Sequence, residues 1–193
     1  EYPYAALEDL FARAKASGEP PFFLLLDLIQ DPQNLGSLLR SAELMGVHGV
    51  VIPSSQAAQI TPTVVHASSG GSEHLLIAQY NLAQAIDRMK QLEDVWIYGL
   101  DASPKARPVQ QLRLSGGLAL VVGNEGRACA TWCARSAMNC CACRNTASSI
   151  HSTQRWLVQS ACFSRGRHDS SDSIGIAHFA GIYFSAPLII ILS

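Results

Sequence analysis

Short apolar runs of strand length alternate with helical patterns along this chain, and this alternation constrains the fold more than any other feature. The stretch "PFFLLLDLI" (21–29) is a continuous apolar run, typical of a strand that is buried on both faces. Similar apolar runs lie at 49–53, 74–78, 95–101 and 118–124. Because strands that alternate with helices pair in parallel, the sequence predicts an α/β fold with a mostly parallel sheet flanked by helices.

Helical patterns occupy much of the sequence between these runs, at 6–17, 34–46, 60–68 and 81–92. Gly18 follows the first pattern and Gly46 closes the second, as glycine commonly does at helix ends. Asn34 and Asn81 stand where an N-cap is needed, because an asparagine side chain accepts a hydrogen bond from the first helical turn. The sequence therefore predicts helices that begin at Asn34 and after Asn81.

Length and composition indicate one folded domain, with or without an appendage. The chain has 193 residues, of which 48% are hydrophobic, and this is enough for a packed core. Its net charge of −1 excludes a globally basic surface, so an RNA contact would need a local patch. No apolar window reaches the roughly 18–20 residues that span a bilayer, so we expect a cytoplasmic protein without a membrane partner.

Two strand-end stretches have the residue types of a binding site, since ligands of parallel sheets bind at the carboxyl ends of strands. "DPQNLGSLLR" places Asn34, Gly36 and Arg40 on a strand-to-helix turn, where an arginine suits a phosphate. A capped helix with a solvated arginine is the alternative. "VVGNEG" (121–126) brackets an amide and a carboxylate with glycines, and could be a ligand site or a plain turn.

A third stretch, "HASSGGSEH" (66–74), contains His66, Glu73 and His74 among small polar residues. These side chains could ligate a metal, but a loop of hydroxyls and glycines is the favoured interpretation, and we expect no metal. The sequence also contains no Walker loop and no GxGxxG motif.

Taken in order, these stretches resemble the SpoU/TrmH family of RNA ribose 2'-O-methyltransferases, within the knotted SPOUT class. "LDLIQDPQNLGSLLRSAELMGVHGVVIP" is similar to the first motif of the family, and "LALVVGNEGRA" is similar to the second. "HASSGGSEHLLIA" resembles its central Ser/Gly-Glu-His stretch. The opening "YPYAALEDLFARAKASGEPP" resembles the linker of the RlmB-like 23S rRNA guanosine methyltransferase branch, in which a domain resembling ribosomal protein L30e comes first.

The resemblance implies that S-adenosyl-L-methionine donates a methyl group to a ribose 2'-hydroxyl of RNA. It implies 23S rRNA as the substrate, with tRNA as the alternative, and a homodimer as the family assembly. The implied cofactor-binding residues are Val122, Gly123, Asn124 and Gly126. The implied catalytic residues are Arg40, Asn34 and Glu125, and the implied RNA-binding residues are Arg40, Asn34 and Ser69. Since the guanidinium pKa lies above about 12, we expect Arg40 to anchor a phosphate rather than to act as a base.

The composition changes abruptly after Arg127. All six cysteines lie in 129–162, all three lysines precede residue 127, and thirteen of the fifteen acidic residues precede the change. The third motif of the family, with Ile-Pro, glycine and Ser-Leu-Asn, has no counterpart in 128–193. A cysteine-rich zinc module is one explanation, although the spacings do not form paired CxxC motifs. A divergent tail that folds by itself is another.

A shifted reading frame is the explanation that we favour. One choice of codons for residues 128–133, read one frame away, encodes Leu-Arg-His-Leu-Val-Arg, a helical sequence of the kind that follows the second motif. The same shift farther along yields Pro, Gly and Ser-Leu-Asn in the order of the third motif. We therefore expect 128–193 to be an out-of-frame tail, 22–127 the methyltransferase domain, and 1–21 the linker from a missing RNA-binding domain.

These expectations imply an impaired chain with an incomplete cofactor pocket, an incomplete knot and a doubtful dimer. A non-catalytic α/β RNA-binding relic of the family is the alternative function.

Overall fold

The structure, a computed structural model, describes residues 2–92, 94–100, 107–108, 116–123 and 139–142. The helices in these ranges are α1 (Leu7–Ser17), α2 (Pro32–Leu44), α3 (Pro62–Ala67), α4 (Gly71–His74) and α5 (Leu82–Met89). The strands are β1 (Phe22–Asp27), β2 (Gly49–Ile52), β3 (Ile77–Gln79), β4 (Val95–Leu100), β5 (Arg107–Pro108), β6 (Gly117–Gly123) and β7 (Asn139–Ala142). No helix within the described ranges has the length and apolar composition to cross a membrane.

All paired strands run parallel, in the order β3-β2-β1-β6-β4-β7-β5. β1 and β6 form the centre, and the six residues of β1 pair with Leu118–Gly123. Every residue of β1 is buried, as the continuous apolar run predicts. The predicted α/β fold with a mostly parallel sheet is confirmed.

Side chains from alternate positions of the strands build two separate cores, because neighbouring residues of a strand point to opposite faces. Phe22, Leu24 and Leu26 face one core, to which α2 and α3 contribute Leu35, Leu38, Leu39, Ala42 and Val64. Phe23 and Leu25 face the other core, to which α1 and α5 contribute Leu7, Leu10, Ala14, Ala85, Ile86 and Met89. The sheet is therefore covered by helices on both faces.

Several predicted element ends agree with the structure. Gly18 closes α1 with φ +70°, and Gly46 follows α2 with φ +67°. The Asn81 side chain accepts a hydrogen bond from the backbone N of Gln84, at 3.2 Å, and so caps α5. These short-range predictions are confirmed.

One predicted strand is wrong in position, and one strand of the structure is not predicted. The apolar run at 74–78 does not form one strand, because Gly70 adopts a left-handed conformation and α4 follows it, so that β3 begins only at Ile77. Between β4 and β6 the structure contains a strand that the sequence does not predict, β5, which pairs with β7. A proline such as Pro108 is tolerated there because β5 is the last strand of the sheet.

Candidate functional site

The carboxyl ends of β1 and β6 lie side by side, with Asp27 paired to Gly123. The chain runs outward from β1 through β2 to β3, and then crosses to the other side of the sheet for β4. The strand order therefore reverses between β1 and β6, which is the position where open α/β sheets bind ligands. Val122 is buried beside Leu26, whereas Gly123 at the strand end is partly exposed.

The helix that follows β1 begins earlier than the sequence predicts. Asp31 is the N-cap of α2, because its carboxylate accepts hydrogen bonds from the backbone N of Gln33 at 3.3 Å and of Asn34 at 3.0 Å. Pro32 occupies the first helical turn, where no N–H is needed. The prediction of Asn34 as N-cap is wrong, and its half-buried side chain lies in the first turn of the helix instead.

Arg40 is the ninth residue of α2 and lies well inside the helix, away from its N-terminus. Asn34 and Arg40 are separated by about 9 Å along the helix axis and by about 120° around it, given 3.6 residues per turn and a rise of about 1.5 Å. The two side chains therefore do not project from α2 at one point. Arg40 Nη1 instead donates a hydrogen bond to Ser69 Oγ at 2.9 Å.

Ser69 lies on the turn between α3 and α4, which reverses the chain beside Arg40. Ser69 has φ +53° and Gly70 has φ +81°, both in the left-handed region. Such a conformation is costly for a residue with a Cβ atom, and it occurs where surrounding contacts enforce it. The exposed Ser69 hydroxyl is thereby held toward the guanidinium of Arg40.

Two glycines permit the close approach of α2 to this turn. A Cβ atom on Gly36 would lie 2.5 Å from Ala67 Cβ and 3.0 Å from Ser68 N. A Cβ atom on Gly71 would lie 3.3 Å from Arg40 Cα. Gly36 thus allows close backbone approach, as its type suggests, but the structure shows that the approaching partner is the end of α3.

Three predicted site residues, Asn124, Glu125 and Gly126, lie outside the described residues. His66, Glu73 and His74 are all exposed. Among the described residues, no three His, Cys, Asp or Glu side chains are grouped so that they could hold a metal ion.

Sequence reasoning missed two features at this end of the sheet. Asp27 is a buried carboxyl residue, 5% exposed, at the end of β1 beside Gly123. Its position within an otherwise apolar run was an available signal. Leu28 follows with φ +54°, in the left-handed region of backbone conformation, and nothing in the sequence predicts this conformation for a leucine.

A known protein family matches the part of the sequence that builds this arrangement. The SpoU rRNA Methylase family matches residues 21–150. The chain belongs to this family. Within the match lie the central strands β1 and β6, helix α2 with Arg40, and the turn with Ser69.

Curated relatives of this SpoU chain are similar over the same part of the sequence. YacO of Bacillus subtilis, named as a TrmH family protein, is 44% identical over 130 residues, which cover 65% of this chain and 50% of YacO. The 23S rRNA (guanosine-2'-O-)-methyltransferase RlmB of Escherichia coli is 41% identical over 127 residues, with the same coverage of 65% and 50%. This chain thus spans about half the length of these relatives.

Solved structures share the fold. An rRNA methyltransferase from Sinorhizobium meliloti superposes with a TM-score of 0.70 at 22% identity, and covers 89% of this chain and 63% of its own. The SpoU methyltransferase AviRb from Streptomyces viridochromogenes, crystallised in complex with the cofactor AdoMet, gives a TM-score of 0.69 at 21% identity, with 86% and 63% covered. These likenesses support the SpoU-type fold of the sheet and its helices.

Proposed function

We propose that this chain derives from an S-adenosyl-L-methionine-dependent RNA ribose 2'-O-methyltransferase that acts on a guanosine of 23S rRNA, with tRNA as the alternative substrate. The observation that carries the proposal is the SpoU family match across β1, α2 and β6. The 41% identity to RlmB supports the choice of 23S rRNA.

The cofactor-binding residues in this proposal are Val122, Gly123, Asn124 and Gly126. The described part of the chain fits the cofactor, because β6 is buried through Val122 and becomes partly exposed at Gly123. Gly123 lies at the reversal of strand order, and it has no side chain to keep a ligand away from the backbone. When bound, S-adenosyl-L-methionine supplies the methyl group.

Arg40 is assigned to the RNA, as the anchor of a phosphate next to the reacting ribose. A guanidinium stays protonated at neutral pH, and its planar fork suits phosphate oxygens. The hydrogen bond to Ser69 restricts its orientation, so less side-chain freedom is lost when RNA binds. Ser69 is assigned to RNA contact, and Asn34 and Glu125 are assigned to shaping the catalytic site, with Asn34 about 9 Å from Arg40 along the helix axis.

Replacing Arg40 separates anchoring from proton transfer. If Arg40 is an anchor, Arg40→Lys keeps part of the methyl-transfer rate, because an ammonium also binds phosphate. Complete loss of transfer by Arg40→Lys, with normal RNA affinity, would instead assign it a role in the chemistry.

We also propose that 128–193 is out-of-frame translation, which leaves the cofactor pocket, the knot and the dimer face incomplete. The change of composition after Arg127 supports this. Only 139–142 of this segment lies within the described residues. Sequencing the coding DNA tests the proposal: a missing base just after the Arg127 codon is expected, and an intact single frame contradicts it.

A second candidate function is RNA binding without catalysis, which the lack of a recognisable third motif favours. Titration calorimetry with S-adenosyl-L-methionine distinguishes the two. Micromolar affinity in the frame-restored protein supports the enzyme, and no binding in either form supports the relic.

The substrate is tested by methyl transfer from radiolabelled S-adenosyl-L-methionine to purified 23S rRNA and to tRNA. We expect label in 23S rRNA with the frame-restored protein and a much weaker signal with this chain. Label in tRNA alone would redirect the proposal to tRNA.

A further inference from the structure

The first residues of the chain contact the turn that holds Arg40. The hydroxyl of Tyr2 donates a hydrogen bond to the backbone O of Ser72 at 2.6 Å, across 70 residues of sequence. The Tyr2 ring is half-buried and packs edge-on against Tyr4, with ring centroids 5.1 Å apart. The backbone N of Ala5 then donates to Ile77 O, so the segment is also attached beside β3.

The carbonyl that Tyr2 contacts needs a partner from outside its helix. Ser72 belongs to α4, which has only four residues. The last four carbonyls of a helix receive no hydrogen bond from the backbone N–H groups of that helix. Ser72 is fully buried, and a buried carbonyl without a hydrogen bond destabilises the folded state. The Tyr2 hydroxyl therefore satisfies a group that α4 leaves open.

Ser72 is hydrogen-bonded to Ser68, the residue that precedes Ser69 in the chain. Ser68 Oγ accepts from Ser72 N at 3.2 Å, lies 3.2 Å from Ser72 Oγ, and donates to Val65 O at 2.9 Å. Ser68 and Ser72 are both buried, so these bonds are shielded from water. A displacement of Ser72 would therefore move the turn on which Ser69 accepts the hydrogen bond of Arg40.

We propose that Tyr2 is a positioning residue for Arg40, acting through Ser72 and the 68–72 turn. The role of Arg40 in binding RNA rests on the function proposed above, whereas the positioning itself does not. Tyr2 fixes the far end of the turn, Ser69 presents its hydroxyl at the near end, and the guanidinium lies against it. The N-terminal segment therefore does not line the RNA site, but it helps to hold Arg40 in place there.

The Tyr2 hydroxyl stays protonated, as a hydrogen-bond donor must. Burial, together with the neighbouring Tyr4 and Glu73, raises the pKa of the Tyr2 phenol above its ordinary value. The hydroxyl keeps its proton across the physiological range and can donate to Ser72 throughout it.

Tyr2→Phe and Tyr4→Phe form a matched pair for the test. Each removes one hydroxyl and keeps the ring, but the Tyr4 hydroxyl accepts from Ile60 N at 3.0 Å, outside the 68–72 turn. NMR of this full chain would follow amide hydrogen exchange at 68–73 and the Nε–H signal of Arg40. We expect Tyr2→Phe to accelerate exchange at 68–73 by about tenfold and to shift the Arg40 signal, and Tyr4→Phe to do neither.

The proposal is overturned if Tyr2→Phe leaves the Arg40 signal unchanged, if it accelerates exchange equally throughout the chain, or if Tyr4→Phe has the same effect.

A double-mutant cycle that measures binding of a 23S rRNA transcript tests whether this positioning matters for RNA. Tyr2→Phe should weaken RNA binding about fivefold in the wild type and not at all in Arg40→Ala, since the loss acts through Arg40. An equal loss in both backgrounds contradicts positioning. Absence of RNA binding by the wild type contradicts the proposed function instead, and the NMR result still decides the positioning.

Discussion

Both faces of the sheet are covered by helices that bury apolar side chains, but they differ in that one of them carries Arg40 and the turn with Ser69. On one face, α1 and α5 are stabilised by buried side chains and by an exposed ion pair between Arg88 and Glu8. On the other face, α2 and α3 meet at a glycine, and a left-handed turn holds the hydroxyl of Ser69 against Arg40. A close backbone approach on the second face lies beside a charged side chain, Arg40, whereas the close approach at Gly49 on the first face meets Leu10. In the function proposed above, the second face carries the RNA site.

The largest expected difference between the faces is in catalysis. Arg40→Ala should lower methyl transfer to 23S rRNA by about 100-fold or more, because a phosphate anchor controls the orientation of the ribose. Arg88→Ala removes an arginine of the opposite face, whose ion pair with Glu8 is exposed, and should change the rate less than about twofold. Both rates are measured by label incorporation with the frame-restored protein. An equal loss of methyl transfer in the two variants would contradict a functional difference between the faces.

Glycine substitutions sharpen the comparison, because both faces contain a tightly packed glycine. A Cβ atom on Gly49 would lie 2.3 Å from Leu10 Cγ, and one on Gly36 would meet Ala67 at 2.5 Å. Both Gly→Ala variants should lower the free energy of unfolding by about 1–3 kcal/mol, as overpacking does. Only Gly36→Ala should also weaken RNA binding, since it displaces the turn beside Arg40. Urea denaturation and RNA titration measure the two effects, and weaker RNA binding by Gly49→Ala would contradict this separation.

Removal of single hydroxyls should give a smaller difference. Ser69→Ala keeps the Cβ atom at φ +53° and removes only the acceptor of Arg40, so we expect RNA binding to weaken about threefold to tenfold. Ser17→Ala removes a hydroxyl that donates to Ala14 O at 2.8 Å at the end of α1, and it should leave RNA binding unchanged. Fluorescence titration of a labelled transcript measures both variants. Unchanged binding by Ser69→Ala would separate Ser69 from the RNA site.

The smallest expected effect concerns alkaline pH. The pKa of Tyr2 is raised in the folded chain, so the neutral phenol stabilises the fold below the ordinary pKa of about 10, and this contribution is lost as the pH rises through the folded value. The stability difference between the wild type and Tyr2→Phe should therefore shrink above pH 10. Urea unfolding of both proteins at several pH values checks this, and a difference that grows with pH has the wrong sign.

The sequence predicts the scaffold well because its signals are short-range. The apolar run of β1, the Gly18 helix end and the Asn81 cap each depend on residues close in sequence. Asn34 is not the N-cap because the helix begins one turn earlier, where the Asp31 carboxylate accepts hydrogen bonds from the backbone N of Gln33 and Asn34.

The site was only partly predictable from the sequence, since its contacts join distant residues. The resemblance to the family pointed to Arg40 and Ser69, but their hydrogen bond spans 29 residues. The approach of Gly36 to Ala67 likewise depends on how α2 packs against α3, which no local pattern encodes.

The central claim is most directly tested by counting 2'-O-methylated riboses in 23S rRNA, because a methylated 2'-oxygen cannot attack the neighbouring phosphate and the linkage resists alkali. The RNA would be treated with frame-restored wild type, Arg40→Ala or Arg88→Ala, each with S-adenosyl-L-methionine. The account predicts a new alkali-resistant linkage with wild type and Arg88→Ala and almost none with Arg40→Ala. No resistant linkage with the wild type, or the same amount with all three proteins, would contradict it.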